Sequence, residues 1–196
     1  MHPRWLAVLI LLFAAARPVV AQHSGGAPRS PSAPPIHVAP AEAKQFDFLV
    51  GEWEVVVRPK ASALAQRIHG APRILGTWKA TRALDGWGIE DDLKLMDGSG
   101  NPTTLSHAVR VYDAAARRWS QTSLDVYRGR FNTATSEWRN GEMVTTSRGT
   151  DQEGKSFVTR TRYYDITATS FKFQQDRSYD DGRTWEEGVL RIEAKR

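Results

Sequence analysis

The sequence predicts an all-β fold, an antiparallel up-and-down barrel of about ten strands with a short N-terminal helix or turn closing one end. First, apolar and polar residues alternate with period two from Ala41 onward, as in strands with one buried face. Second, turn signals separate these runs at roughly 8–12-residue intervals, which is typical of sandwiches and barrels. Third, the connections read as tight hairpins, which favour an up-and-down barrel because Greek keys need longer crossings. Closure would also remove exposed sheet edges.

Residues 46–55, FDFLVGEWEV, are expected to build the closed end. Phe46 and Phe48 lie in an apolar turn or short helix that ends at a Gly, and an alternating strand begins at Trp53. Large aromatic side chains bury much apolar area. We therefore expect the turn to plug one mouth of the barrel and Trp53 to pack at the floor of the lumen.

The remaining strands follow in chain order, separated by Gly-, Asn- and Asp-containing turns. With the first strand included, we expect them near 52–59, 73–84, 87–96, 104–113, 118–127, 130–138, 141–149, 155–165, 169–179 and 184–194. Asn140-Gly141 is the strongest hairpin signal because both residues tolerate positive φ. Residues 60–70 fit a short helical insert and a loop equally well.

The N-terminus predicts an exported protein. Residues 1–21 combine a positive start, an apolar core and a small-residue cleavage pattern, as secretory signal peptides do. The apolar core is shorter than the roughly 20 residues of a membrane span, so no span is expected after signal removal. Residues 22–41, rich in Pro, Ser and Ala, predict a flexible linker before the domain at 42–196. The expected location is periplasmic or secreted.

Charge and composition exclude several function classes. The signal contains two Arg and no acid, so the net charge of +5 becomes +5 − 2 = +3 after cleavage. This mild charge without a basic stripe argues against nucleic-acid binding. The chain has no Cys, and it lacks the G-x-S-x-G and H-E-x-x-H motifs of hydrolases and metalloproteases. We expect no metal site and no cofactor; the oligomeric state is left open.

Three motifs carry a family resemblance: FDFLVGEWEV, RVYDAAARRW at 110–119 and SYDDGRTW at 178–185. They resemble an uncharacterised family of exported bacterial lipocalin-like (calycin) β-barrel proteins, distantly similar to nitrobindin and to fatty-acid-binding proteins. The resemblance covers about residues 43–196 and implies a lipocalin-like barrel that binds a ligand in its lumen. Nitrobindin-like relatives hold haem through a His on a late strand, but this sequence has no His after His107.

The SYDDGRTW motif also fits the pattern S-x-D-x-G-x-T-W of an Asp-box hairpin. In such a hairpin the Asp180 carboxylate accepts backbone N–H groups across the turn and Gly182 takes positive φ. These requirements explain the motif without a ligand. We therefore interpret it as structural rather than as a glycan or calcium site.

Residues 160–165, RTRYYD, provide a candidate anion clamp. Period two places Arg162 and Tyr164 on one strand face. If that face lines the lumen, the pair resembles the R-x-Y pair that grips a carboxylate in fatty-acid-binding proteins. If it lies outside, both are ordinary solvated residues, and alternation alone does not decide between these cases.

Four further residues are candidate ligand contacts. Trp53 and Trp78 could stack on a flat or apolar ligand. Neighbouring residues of a strand point to opposite faces, so either Asp91, or Glu90 with Asp92, could enter the lumen, and a solvated edge is the other case. An inward Asp91 could pair with Arg162 or act as an acid or base. His107 is inward if Val109 and Val111 are, and it would then be a near-neutral proton handler.

The sequence favours a lumen that binds a small, partly apolar or anionic ligand. Two alternatives stay open. One is a cofactor-free enzyme that uses lumen acid–base residues such as His107 or an inward carboxylate. The other is an envelope interaction module that binds through its rim loops.

Overall fold

The computed structural model describes residues 37–61 and 73–196. The predicted signal peptide, most of the predicted linker and most of the ambiguous segment 60–70 lie outside the described residues. The described chain forms one closed antiparallel barrel, in which each strand pairs with its chain neighbours and the last strand closes on the first. Among the described residues, no helix has the length and apolarity needed to cross a membrane.

Ten strands form the barrel, and the predicted up-and-down topology is confirmed. They are β1 (Gly51–Pro59), β2 (Ile74–Ala83), β3 (Gly88–Met96), β4 (Pro102–Asp113), β5 (Arg118–Asp125), β6 (Arg130–Arg139), β7 (Glu142–Thr150), β8 (Ser156–Tyr164), β9 (Ser170–Ser178) and β10 (Glu186–Lys195). The predicted bounds differ from these by no more than two residues at either end. Pattern and turn chemistry therefore specify the strands almost completely.

The N-terminal plug is built from two short 3-10 helices, Ala41–Lys44 and Asp47–Leu49. Phe46 between them is fully buried, and its ring meets Trp119 edge-on at 4.9 Å between centroids. The indole Nε1 of Trp53 donates a 2.8 Å hydrogen bond to the backbone oxygen of Leu49. The aromatic plug and the position of Trp53 at the floor agree with the sequence prediction.

The register of the strands decides which residues face the lumen. Trp53 of β1 lies opposite Trp78 of β2, and Trp78 lies opposite Leu93 of β3. Facing residues in neighbouring strands point to the same side of a sheet. Trp53 and Trp78 are buried and therefore face the lumen. Starting from these two residues, the strand pairing identifies the inward residues of each following strand around the barrel. We call the half of the lumen next to the plug the closed half, and the half at the opposite end the open half.

The hairpin at 179–185 joins β9 to β10 at the open end. The carboxylate of Asp180 accepts hydrogen bonds from the Thr184 backbone N–H at 2.9 Å and from its hydroxyl at 2.7 Å. Gly182 adopts a φ of 88°, which favours glycine. The contacts agree with the structural interpretation of the Asp-box motif.

Candidate ligand site in the barrel lumen

The closed half of the lumen is filled by aromatic side chains. Trp53 meets Phe171 edge-on at 4.9 Å, and Tyr163 meets Phe173 edge-on at 5.2 Å. Trp78 lies within 6.3 Å of both phenylalanine rings and of Tyr163. Such edge-to-face pairs stabilise the core beyond the area they bury. This half of the lumen is therefore packed core.

A buried ion pair lies beside these aromatic side chains. Arg110 donates from Nε to Oδ2 of Asp91 at 3.0 Å and from Nη2 to Oδ1 at 3.1 Å. Trp78 Nε1 donates a further hydrogen bond to Asp91 at 2.7 Å. Burial raises the pKa of Asp91, while the Arg110 guanidinium opposes that rise. Asp91 thus enters the lumen, but its partner is Arg110 and not the Arg162 that the sequence suggested.

The open half contains a cavity of about 300 Å³. Its lining is mostly hydroxyl and amide side chains, with three aromatic rings. The lining residues are Gln121, Ser123, Asn132, Thr133, Ala134, Thr145, Ser147, Arg148, Gly149, Phe157, Thr159, Thr161, Tyr163, Phe173, Gln175 and Arg177. Ligand pockets typically start at roughly this volume. The cavity therefore fits a small molecule rather than a long lipid chain.

Tyr163 and Phe173 connect the cavity to the aromatic cluster of the closed half. Complete burial raises the pKa of Tyr163 to about 12. Its hydroxyl is therefore protonated at neutral pH and offers a hydrogen-bond donor.

Arg177 of β9 is the charged inward residue of this cavity. It lies opposite Thr159, on the same strand face as Gln175, Phe173 and Phe171. Its guanidinium carbon lies 4.6 Å from the centre of the Phe157 ring, and Nη1 donates to the Tyr179 hydroxyl at 3.3 Å. Its Nε is buried without a hydrogen-bond partner among the described residues. Arg177 lines the cavity without an ion-pair partner among the described residues, and such a guanidinium is the kind of group that an anion would engage.

The predicted clamp of Arg162 and Tyr164 lies on the outer face of β8. Tyr163 pairs with Met143 and Phe173, so the odd-numbered residues of this strand face the lumen and Arg162 faces outward. Arg162 forms a 3.6 Å ion pair with Glu142 at the surface. Of the two cases that the alternation left open, the geometry fits the second, in which both residues lie on the outer face.

His107 also faces outward. It lies on β4 between inward Ser106 and Ala108, and its Nδ1 lies 2.9 Å from Oδ1 of Asp92 at the surface. Val109 and Val111 share this outer face, so the condition for an inward His107 is not met. The alternating Val109 and Val111 of β4 therefore lie on the outer face of the barrel.

The structure therefore brings Trp53, Trp78 and Asp91 together in the closed half and leaves Arg162, Tyr164 and His107 outside it. The three inward residues serve core packing and the buried ion pair. Whether any of the six contacts a ligand stays a prediction.

Sequence reasoning missed Arg177 and the inward amides Gln121 and Gln175. A usable signal was present on β9, where Phe171 and Phe173 share one face with Gln175 and Arg177. Two aromatic residues at alternate positions indicate the buried face of a strand. That face carries Arg177 to the open end.

Comparisons with known proteins identify no family. No family model matches the chain, and no curated protein matches it. The solved structure of EF1p2_mFAP2b bound to DFHBI is similar, with 10% identity and a TM-score of 0.39 over 80% of this chain and 99% of that chain. This likeness is too weak to carry an argument about function. The class of this protein thus rests on its own geometry, a closed ten-stranded antiparallel barrel with an open polar half-lumen.

Proposed function

We propose that the protein binds a small anionic ligand in the open half of its lumen, with Arg177 as the anchor. The observation that carries this proposal is that Arg177, an inward residue without an ion-pair partner among the described residues, lines a cavity of about 300 Å³. Arginine offers a planar fork that matches a carboxylate or phosphate.

Arg177 has no direct ion-pair partner in the described part of the chain, although Asp151 and Glu153 line a neighbouring surface pocket that Arg177 also lines. None of the described residues forms an ion pair with it, and all 22 Asp and Glu residues of the chain lie within the described ranges. Asp176, its neighbour, points outward and pairs with Arg160 at 2.9 Å. A partly buried charge without a partner is costly, so an anionic ligand would stabilise this arrangement.

The lining favours a polar ligand over the partly apolar one that the sequence suggested. Ser, Thr, Asn and Gln make up just over half of the lining residues, and the apolar part of the wall comes mainly from three aromatic rings. Trp53 and Trp78 are occupied with core packing. A lipid-like tail would find few apolar partners here.

Acid–base catalysis is the weaker alternative. The described residues that line the cavity include no carboxylate and no imidazole. General acid–base catalysis needs a group that titrates near the working pH. Tyr163, with its pKa raised to about 12, does not meet that condition. The lining thus supports binding in preference to this chemistry.

We further propose that the protein is exported, as in the calycin family that its motifs resemble. The support is the signal-like pattern of residues 1–21. Expression of the full chain in a Gram-negative host should yield a periplasmic protein. Its measured mass should match that of a chain cleaved before Gln22. Recovery of the intact chain from the cytoplasm would contradict export.

The test of binding is calorimetric titration with phosphate, citrate, benzoate and hexanoate, at low salt. Arg177→Met should weaken the best anion by roughly ten- to hundredfold, since charge-assisted hydrogen bonds are lost. Arg162→Met is the matched control, because it removes a guanidinium from the outer face. Equal affinity in wild type and Arg177→Met would overturn the anchor role.

A further inference from the structure

The wall of the open half contains hydrogen-bonded hydroxyl groups. Ser147 Oγ and Thr159 Oγ1, both in the lining, lie 2.6 Å apart. Thr145 Oγ1 also lies in the lining, 2.7 Å from the Oγ of the fully buried Ser136. Each hydroxyl has one donor hydrogen and two acceptor positions. A hydroxyl pair uses only one hydrogen internally, so it keeps a second donor and free acceptor positions. The wall can therefore both donate to and accept from a ligand.

Two inward amides, Gln121 and Gln175, add further hydrogen-bonding groups. Arg110 Nη1 donates to Gln121 Oε1 at 3.0 Å, and a guanidinium offers only donors. The oxygen of Gln121 must therefore face Arg110, which leaves its NH₂ group as the donor on the cavity side. Gln175 Nε2 lies 3.4 Å from Thr161 Oγ1, and because a hydroxyl both donates and accepts, this amide can present either its oxygen or its NH₂ group to a ligand.

From these groups, and resting on the proposed function, we propose that the ligand is a polyhydroxylated carboxylic acid of the sugar-acid type. Its carboxylate pairs with Arg177, and its hydroxyl groups exchange hydrogen bonds with the hydroxyl pairs, Gln121 and Gln175. A hydroxyl group both donates and accepts, as the wall requires.

An alkyl chain does not meet this requirement. It would cover the same wall groups without replacing their hydrogen bonds to water, and buried unpaired polar groups are costly. The cavity of about 300 Å³ has room for about ten water molecules at roughly 30 Å³ each. The ligand is therefore small, with roughly ten to fifteen non-hydrogen atoms.

Phe157 adds one apolar surface near the anion anchor. Its ring lies against the Arg177 guanidinium at 4.6 Å, which holds both groups in a stacked arrangement. Carbon-bound hydrogens of a sugar-like ligand can pack on an aromatic ring while its hydroxyls face the polar wall. The cavity thus offers an apolar contact beside the anion anchor, together with polar groups elsewhere in its lining.

The first experiment compares four probes by calorimetry on the full chain: glucuronate, gluconate, hexanoate and glucose. We expect both hydroxy acids to bind at least tenfold more tightly than hexanoate, which lacks the hydroxyls, and than glucose, which lacks the charge. If hexanoate binds as tightly as glucuronate and Arg177→Met weakens both, this inference fails while the proposed function stands. If no acid binds, or Arg177→Met has no effect, both fail.

The second experiment removes wall groups one at a time. Gln175→Met and Thr161→Val should each weaken glucuronate by roughly three- to tenfold, the effect of one hydrogen bond, and leave hexanoate unchanged. Gln174→Met is the matched control, because this neighbouring side chain lies on the outer face and bonds to Asp176. Unfolding temperatures of all variants report their folding. Unchanged glucuronate affinity in both wall variants would contradict the proposal that the cavity wall recognises the hydroxyl groups of the ligand.

Discussion

Arg110 and Asp91 form a doubly hydrogen-bonded ion pair inside the barrel, and each side chain is only 3% exposed. Arg110 comes from β4 and Asp91 from β3 beside it. Trp78 donates a further hydrogen bond to Asp91, and Gln121 accepts one from Arg110. Through Gln121, which lines the cavity, the pair connects the aromatic closed half of the lumen to the open half.

The first prediction concerns this pair. Asp91→Asn should lower the free energy of unfolding by about 3–5 kcal/mol, because it leaves Arg110 buried and uncompensated. The double variant Asp91→Leu with Arg110→Met should recover part of this loss, since both charges are then absent. Urea unfolding followed by tryptophan fluorescence measures both. A loss below about 1 kcal/mol for Asp91→Asn would contradict the uncompensated-charge argument.

The second prediction concerns the floor of the barrel. Trp53→Ala should cost about 3–5 kcal/mol of stability, as large aromatic truncations in cores do. Trp53 is fully buried, packs on Phe171 and donates to Leu49. Trp138→Ala is the control, because that ring is 38% exposed, and its effect should be clearly smaller. Thermal unfolding of Trp53→Ala within a degree or two of wild type would rule out the floor role.

The third prediction concerns pH. Hydrogen bonds from Thr184, together with one from Ser178, lower the pKa of Asp180 from 3.8 to about 2. Because the unfolded chain takes up this proton at higher pH than the folded chain, the stabilisation is complete well above pH 3.8 and is lost as the pH falls through about 2.

Asp180→Asn should therefore show a shallower decline of stability over this window than wild type. Urea midpoints measured at half-unit steps from pH 5 to pH 2 provide the comparison. Parallel curves for the two proteins would show that the Asp180 hydrogen bonds do not hold its pKa down.

The fourth prediction concerns the N-terminus. A chain that begins at His37 should unfold at the same temperature as one that begins at Gln22, because the Pro, Ser and Gly residues in between offer little apolar surface for packing on the barrel. A chain that begins at Pro40 should lose a little stability, since Ala39 packs on the core and Trp87 Nε1 contacts the His37 oxygen at 3.4 Å. A marked loss already in the chain from His37 would show that residues 22–36 pack on the barrel.

The strands and their order were readable from the sequence because they depend on local signals. Strands show apolar residues at every second position. Turns such as Asn140-Gly141 require residues that tolerate positive φ, and both of these residues have positive φ in the structure. The plug around Phe46 was predictable for a similar reason. Its large aromatic side chains precede the first strand directly, and packing on the end of the barrel buries them.

The identity of the lumen-facing residues depended on tertiary structure. Period two separates the residues of a strand into two sets but does not say which set is inside. In β8 the inward set contains Phe157 and Tyr163, so Arg162 is exposed; in β9 the same rule directs Arg177 inward.

Sequence alone determined the ten strands, the hairpins and the aromatic plug, because each follows from local propensity and turn geometry. Only the tertiary structure decided that Asp91 pairs with Arg110 and that Arg177 reaches a polar cavity. Those facts depend on the register of neighbouring strands around the closed barrel. A register shift of one residue would exchange the inward and outward sets, and packing of Trp53 and Trp78 against the plug selects the observed one.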